Sequence, residues 1–145
     1  MNKKLMAILT LLVLSGLILS ACASHGSSPS LAGSSWKLIS YGPAQNQTAA
    51  TAVIQTNLDF GRDGSVNGNM GCNTFGGKYE VKNGAILFSQ IASTLKACPE
   101  PQITQEGTAF QVMDGSVHFE VEGDTLTIHA GDSANVIRLS RMQSK

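Results

Sequence analysis

The sequence is poor in charge, and its few charges are balanced and dispersed. Only 14% of the 145 residues are charged, with ten basic and ten acidic side chains. After Lys3 and Lys4, no two basic residues are neighbours in the chain. A nucleic-acid-binding protein normally concentrates Lys and Arg in one run or on one face. The composition therefore predicts no nucleic-acid partner.

The sequence also lacks the short motifs that identify common catalytic and metal sites. It has no Gly-x-Ser-x-Gly elbow, no phosphate-cradling loop and no Cys/His spacing typical of a metal site. In residues 63–69, oxygen-bearing side chains recur at alternate positions, as in the first half of a calcium-binding loop. The twelfth position counted from Asp63 is Thr74, where such a loop needs a glutamate. We therefore expect no metal, no cofactor and no enzyme activity.

Long hydrophobic runs are absent except near the N-terminus. Residues 5–19 are almost purely apolar and follow the positive start at Lys3 and Lys4, which is the layout of a secretory signal peptide. The run is shorter than the roughly 20 residues that a membrane-spanning helix needs. We therefore predict a cleaved export signal over residues 1–21.

Cysteine is scarce, and the first of the three cysteines directly follows this signal. The stretch Leu19-Ser20-Ala21-Cys22 resembles a bacterial lipobox, in which the cysteine thiol receives a diacylglycerol group. It predicts a lipoprotein whose first mature residue is Cys22. The acyl chains on this residue would anchor the protein in the membrane, since each buried methylene contributes about 0.8 kcal/mol of binding free energy. Ala23, where an aspartate would signal inner-membrane retention, predicts an outer-membrane location facing the periplasm. The alternative is an ordinary export signal that ends at a chance cysteine.

The other two cysteines, Cys72 and Cys98, are predicted to form a disulfide. An exported protein occupies an oxidising compartment, and the two remaining cysteines pair naturally once the first is lipidated. The alternative is that Cys72 is a nucleophile with His118 or His129 as its base. Both histidines are predicted to lie on the polar faces of their strands, which favours the disulfide.

The pattern beyond the signal predicts a short tether and one domain. Residues 22–30 are small and polar, as in a flexible tether, and residues 31–142 form the domain. Strands are predicted at residues 36–40, 54–60, 65–70, 77–81, 85–89, 117–121, 126–129 and 135–139. A helix of about three turns is predicted to start near Pro101, with the proline in its first turn and with Ile103, Ala109 or Phe110, and Met113 at about helical spacing. The fold class is therefore α+β and mainly β, a small antiparallel barrel-like sheet of about eight strands with one short helix.

Several separated motifs together resemble one known family. They are a tryptophan strand near the start, Gly71-Cys72-Asn73, Tyr79, Ala92-Ser93-Thr94, Ala97-Cys98-Pro99, Glu106 and Phe110. Residues 31–141 resemble the META domain, the module of HslJ-like bacterial heat-shock lipoproteins. The resemblance implies a barrel-like module without established enzyme activity, linked to heat shock and to tolerance of the antibiotic novobiocin. The common pattern has Arg-Met where this chain has Leu95-Lys96, so a feature built on that arginine would be altered.

Two kinds of binding are compatible with these residues. Aromatic side chains at Trp36, Tyr41, Phe75 and Tyr79 are candidates to line a groove for an envelope protein or a small apolar ligand. We favour the simpler interpretation for two of them, namely that Trp36 and Tyr79 belong to the core. The glycines around Cys72 are expected to leave backbone donors accessible, which would suit strand addition by a partner. A related hypothesis is a pilot, chaperone-like or inhibitor module that docks one protein partner.

Overall fold

A computed structural model describes residues 30–131 and 134–143 of the protein. The predicted signal peptide, the lipidation site Cys22 and all of the tether except Ser30 lie outside the described residues. The strands are β1 (Ser34–Pro43), β2 (Thr48–Ala49), β3 (Asn57–Phe60), β4 (Ser65–Asn69), β5 (Thr74–Lys82), β6 (Ala85–Ser93), β7 (Ser116–Glu122), β8 (Thr125–His129) and β9 (Asn135–Arg141); the helix, α1, is Gln102–Val112. In this part of the chain no helix has the length and apolar character needed to cross a membrane.

The strands form one antiparallel sheet that closes on itself. The order is β1-β3-β4-β5-β6-β7-β8-β9, and β9 pairs again with β1. The two-residue strand β2, which is not among the predicted strands, adds to β1 beside Ser40 and Tyr41. The structure is thus a closed eight-stranded barrel with one extra strand and one short helix, which confirms the predicted fold class.

A β-bulge reverses the inward face of β1 halfway along the strand. Strict alternation would place Trp36, Leu38 and Ser40 on one face. The pairing with β9 shifts between Leu38 and Ser40, so Ile39 is the extra residue and Tyr41 points inward in place of Ser40. A bulge adds one unpaired residue and bends the strand, which helps a sheet to curve into a barrel.

The barrel interior is a single apolar core. Its largest fully buried apolar side chains are Trp36, Phe60, Leu31, Leu38, Leu58, Met70, Ile86, Leu126, Ile128, Ile137 and Leu139. On β4, Val66 and Gly68 are buried on one face, and Met70, directly after the strand, is buried as well. A Cβ atom at Gly68 would meet the Asn57 carbonyl oxygen at 2.0 Å, so only glycine allows β3 to approach this closely.

The helix α1 occupies the predicted position and buries part of the predicted face. Among the apolar residues at helical spacing, Ala109 and Met113 are buried and Ile103 is exposed. The buried face also includes Gln105, Glu106 and Val112. The helix lies across the barrel end where residues 70–73 connect β4 to β5. Backbone groups in that connection need hydrogen-bond partners, and the polar side chains of α1 supply them. Satisfying this backbone therefore decides which face of α1 is buried.

Candidate functional site

The four aromatic residues predicted to line an exposed groove do not form one. Trp36, Tyr41 and Phe75 are buried, because each points into the core from its strand. The indole Nε1 of Trp36 donates to the Ser34 hydroxyl at 2.7 Å, and the Arg141 guanidinium lies 4.2 Å from the ring centroid. The candidate aromatic groove is therefore wrong for these three side chains, which are core residues, and the core interpretation of Trp36 is confirmed.

Tyr79 is the fourth of these residues, and it is half-buried. Its hydroxyl donates to the Gly61 carbonyl oxygen at 2.9 Å, and its ring packs edge-on against Phe60. Burial, and to a smaller extent the negative charge of Asp63, raise the pKa of the Tyr79 phenol above its ordinary value. The phenol therefore stays protonated at neutral pH and acts as a structural donor.

The backbone donors around Cys72 were expected to be accessible, and this expectation is also corrected. The Gly71 amide donates to the Asn69 side-chain oxygen at 2.9 Å. The Cys72 amide donates to Glu106 Oε2 at 2.8 Å, and the Asn73 amide donates to the same oxygen. These donors are already satisfied inside the protein, so a partner strand cannot add at this bend.

Glu106 is the acceptor that holds the bend onto α1. Its side chain is 4% exposed, and its second oxygen, Oε1, accepts from Asn73 Nδ2 at 2.7 Å. A buried carboxylate is tolerated when hydrogen bonds replace its hydration, and three donors do so here. Next to it, Gln105 bridges the Met70 carbonyl oxygen at 2.7 Å and the Thr51 amide at 2.8 Å. Neither role was predicted from the sequence, because the spacing of apolar residues along a helix does not indicate which polar side chains are buried.

Asn73 extends this network to residues 94–98, which we call the connector. Its side-chain oxygen accepts from the Thr94 hydroxyl at 2.7 Å and from the Lys96 amide at 2.8 Å. Two residues later, Cys98 is joined to Cys72 by a disulfide with a Cα–Cα distance of 6.2 Å. The connector has no helix or strand of its own, but it is tied to the barrel at both of its ends.

The geometry gives no support to a cysteine nucleophile. The Cys72 sulfur is bonded to Cys98, and a disulfide sulfur carries no thiol proton for a base to remove. His118 and His129 face each other across β7 and β8, with ring centroids 5.8 Å apart, and His118 is also 3.6 Å from Glu120. Within residues 30–131 and 134–143, no cluster of three or more His, Cys, Asp or Glu residues is arranged to hold a metal ion.

The connector and α1 enclose a surface groove of about 440 Å³, which we call the connector groove. Its apolar wall is formed by Leu95, Ile103 and Phe110, and Asn73 and Glu106 lie at its base. Leu95 is 96% exposed although the residues on both sides of it are hydrogen-bonded to Asn73. An exposed leucine on a fixed backbone is an apolar contact point that loses little conformational freedom on binding. This groove is the candidate functional site.

A protein-family model covers all the residues that build this site. The META domain family model matches residues 29–143, which include β1 to β9, the bend at Cys72, the connector and α1. The chain belongs to the META domain family. The META family and this barrel fold are not known as enzymatic.

Solved structures show the same fold at low sequence identity. The META chain resembles an NMR structure of a protein from Burkholderia xenovorans with a TM-score of 0.66 and 18% identity, over 88% of this chain and 100% of that chain. It also resembles a crystal structure of a DUF4847 family protein from Bacteroides vulgatus, with a TM-score of 0.58 and 10% identity, over 79% of this chain and 96% of that chain. No curated protein matches the chain. At these identities the likeness concerns the fold alone.

Proposed function

We propose that this META protein is a non-enzymatic, lipid-anchored protein of the bacterial outer membrane that binds an envelope component through the connector groove. The lipobox at Cys22 supports the anchor. The family resemblance supports a role in heat-shock response and novobiocin tolerance. The observation that carries the binding role is Leu95, a large apolar side chain that is 96% exposed on a backbone fixed from both sides.

In the free protein, the exposed Leu95 side chain leaves apolar surface in contact with water. Burial of apolar surface against a partner contributes about 25 cal/mol of favourable free energy for each Å² removed from water. The Asn73 network and the disulfide fix the backbone on either side of Leu95, whose side chain is 96% exposed. A surface that is both apolar and pre-organised favours association, because little ordering entropy is lost on binding.

Two matched variants test whether the groove carries the function. In a strain lacking the gene, plasmid-borne Leu95→Asp should fail to restore growth at raised temperature and in novobiocin. Leu87→Asp, at a leucine 44% exposed on β6 outside the connector groove, should restore it. Both purified variants should melt within a few degrees of the parent protein, because neither leucine is buried. Full restoration by Leu95→Asp would refute the proposed role of the groove.

The anchor and the kind of partner need separate experiments. Cys22→Ala should move the protein from the membrane fraction to the soluble periplasmic fraction, and its retention in the membrane would refute lipid anchoring at this position. A photo-reactive residue at Leu95 tests the alternative of a dedicated docking module in intact cells. A single stoichiometric protein adduct would favour a pilot or inhibitor role, and several envelope adducts would favour a general role.

A further inference from the structure

The strand β6 has a neighbouring strand on both sides over only part of its length. Its pairing with β7 covers Ala85, Ile86 and Leu87, and one more bond joins the Phe88 amide to the Gly115 carbonyl oxygen at 2.9 Å. Beyond this point, residues 89–93 pair with β5 alone among the described residues. An unpaired edge presents backbone donors and acceptors that match another extended chain.

A cleft separates this free edge from α1. It has a volume of about 430 Å³ and lies between residues 88–91 and the second half of the helix. The helix itself packs on β1 and β9. Gly107 and Phe110 line both this cleft and the connector groove, so the two depressions lie next to each other across the same helix face.

Gly107 sits in the interior of α1 without a packing reason. A Cβ atom at this position would meet no atom within 4 Å, whereas one at Gly71 would meet the Gln102 carbonyl oxygen at 2.5 Å. Glycine is the least favourable residue in a helix interior apart from proline. Its advantage is that another backbone can approach closely, and Gly107 is exposed toward both depressions.

The backbone of the free edge is also unusual. Gln90 has a φ of +55°, in a bulge where Gly77 of β5 faces both Gln90 and Ile91. A left-handed non-glycine residue is sterically unfavourable, and such residues cluster at functional sites. The bulge lies inside residues 89–93, so it breaks the regular ladder there and an added strand would be short and irregular at that point. Two copies of β6 would bring two bulges together, which disfavours pairing between copies of this chain.

We propose that residues 89–93 of β6 accept a short extended segment of another polypeptide as an added strand, which crosses over Gly107 and places one apolar side chain in the connector groove against Leu95. The backbone edge selects an extended chain, and the groove selects an apolar residue at one position. This inference rests on the proposed function of the groove and adds the chemical class of its partner. Strand addition is a recurrent mode of peptide recognition.

The test begins with a library of short random peptides displayed on phage and selected against the full-length acylated protein in detergent. Selected peptides are then synthesised with a single N-methyl group at each position in turn. In an added strand every second amide points to the protein, so methylation should weaken binding about tenfold or more at alternate positions only. Loss of affinity without alternation would overturn strand addition, and so would failure to select any peptide.

Substitutions at Gly107 separate stability from binding. Gly107→Leu should raise the melting temperature, since leucine favours helix, yet lower the affinity for the selected peptides about tenfold or more. Thr104→Leu, at an exposed position of α1 that lines neither depression, is the control and should leave the affinity unchanged. If Leu95→Asp abolishes binding but Gly107→Leu does not, the proposed groove stands and strand addition is wrong. Concentration-dependent dimerisation blocked by Gly107→Leu would instead assign the edge to a second copy and overturn the proposal.

Discussion

At the scale of single residues, one buried carboxylate organises the candidate site. Glu106 accepts three hydrogen bonds from the bend, and Asn73 passes the constraint on to the connector. The sequence contains both residues in motifs that resemble the META family, which indicates their importance. It does not indicate their roles, because the partners of Glu106 lie more than thirty positions away along the chain. Only the closed fold brings them together.

Replacing Glu106 by glutamine should destabilise the protein by about 2–3 kcal/mol. Glutamine keeps one acceptor oxygen but turns an amide toward Asn73 Nδ2, so two donors face each other. Asn73 cannot rotate its amide to compensate, because its oxygen already accepts from Thr94 and Lys96. Urea unfolding measures the change in the free energy of unfolding. Glu80→Gln, at an exposed position of β5, is the control, and an equally small effect of both substitutions would contradict this role.

At the scale of elements, local pattern predicted the strands well and the irregular positions poorly. The Asn83-Gly84 turn forms as its dipeptide predicts, with φ values of +53° and +76°. The bulges on β1 and β6 were not predictable, since they arise from barrel closure and leave no fixed signature in composition. The buried face of α1 was predicted in part: Ala109 and Met113 are buried, but Ile103 is exposed, and the helix turns Gln105 and Glu106 toward the backbone of residues 70–73.

The left-handed residue in the β6 bulge gives a prediction at this scale. Gln90→Gly should raise the free energy of unfolding by about 0.5 kcal/mol, because relief of the left-handed strain exceeds the extra entropy that glycine loses on folding. Thermal or urea unfolding measures the difference. The matched control is Ser89→Gly at the preceding position of β6, which lacks a positive φ and should lose stability. If Gln90→Gly instead lowered the free energy of unfolding, the contacts of the Gln90 side chain would stabilise the fold by more than its left-handed backbone destabilises it.

At the scale of the whole molecule, the barrel closes without help from the connector, and the disulfide fixes the connector to it. The eight predicted strands and the one predicted helix were enough to predict the antiparallel, barrel-like class. Pairing of Cys72 with Cys98 was predictable from the cysteine count and the expected export. The position of the connector groove was not, since it depends on where α1 lies over the barrel end.

Removing the disulfide should weaken the fold without abolishing it. A disulfide between cysteines 26 positions apart lowers the conformational entropy of the unfolded chain. This loss stabilises the folded protein by about 3.5 kcal/mol. The double variant Cys72→Ala/Cys98→Ala should therefore lose stability of that order in urea unfolding, while the far-ultraviolet circular dichroism of the barrel is retained. Complete unfolding of the variant in buffer would show that closure of the barrel itself depends on the bond.

Binding in the connector groove depends on the connector being a fixed wall of a preformed groove. Native-state hydrogen exchange followed by NMR tests it most directly at the Lys96 amide, which donates to Asn73 Oδ1 at 2.8 Å in a segment without helix or strand. We predict that this amide exchanges slowly, with an opening free energy close to that of the Asn73 amide and far above that of exposed turn residues such as Gly123. Exchange of the Lys96 amide as fast as that of Gly123 would show that the connector is a mobile loop, and would contradict the account.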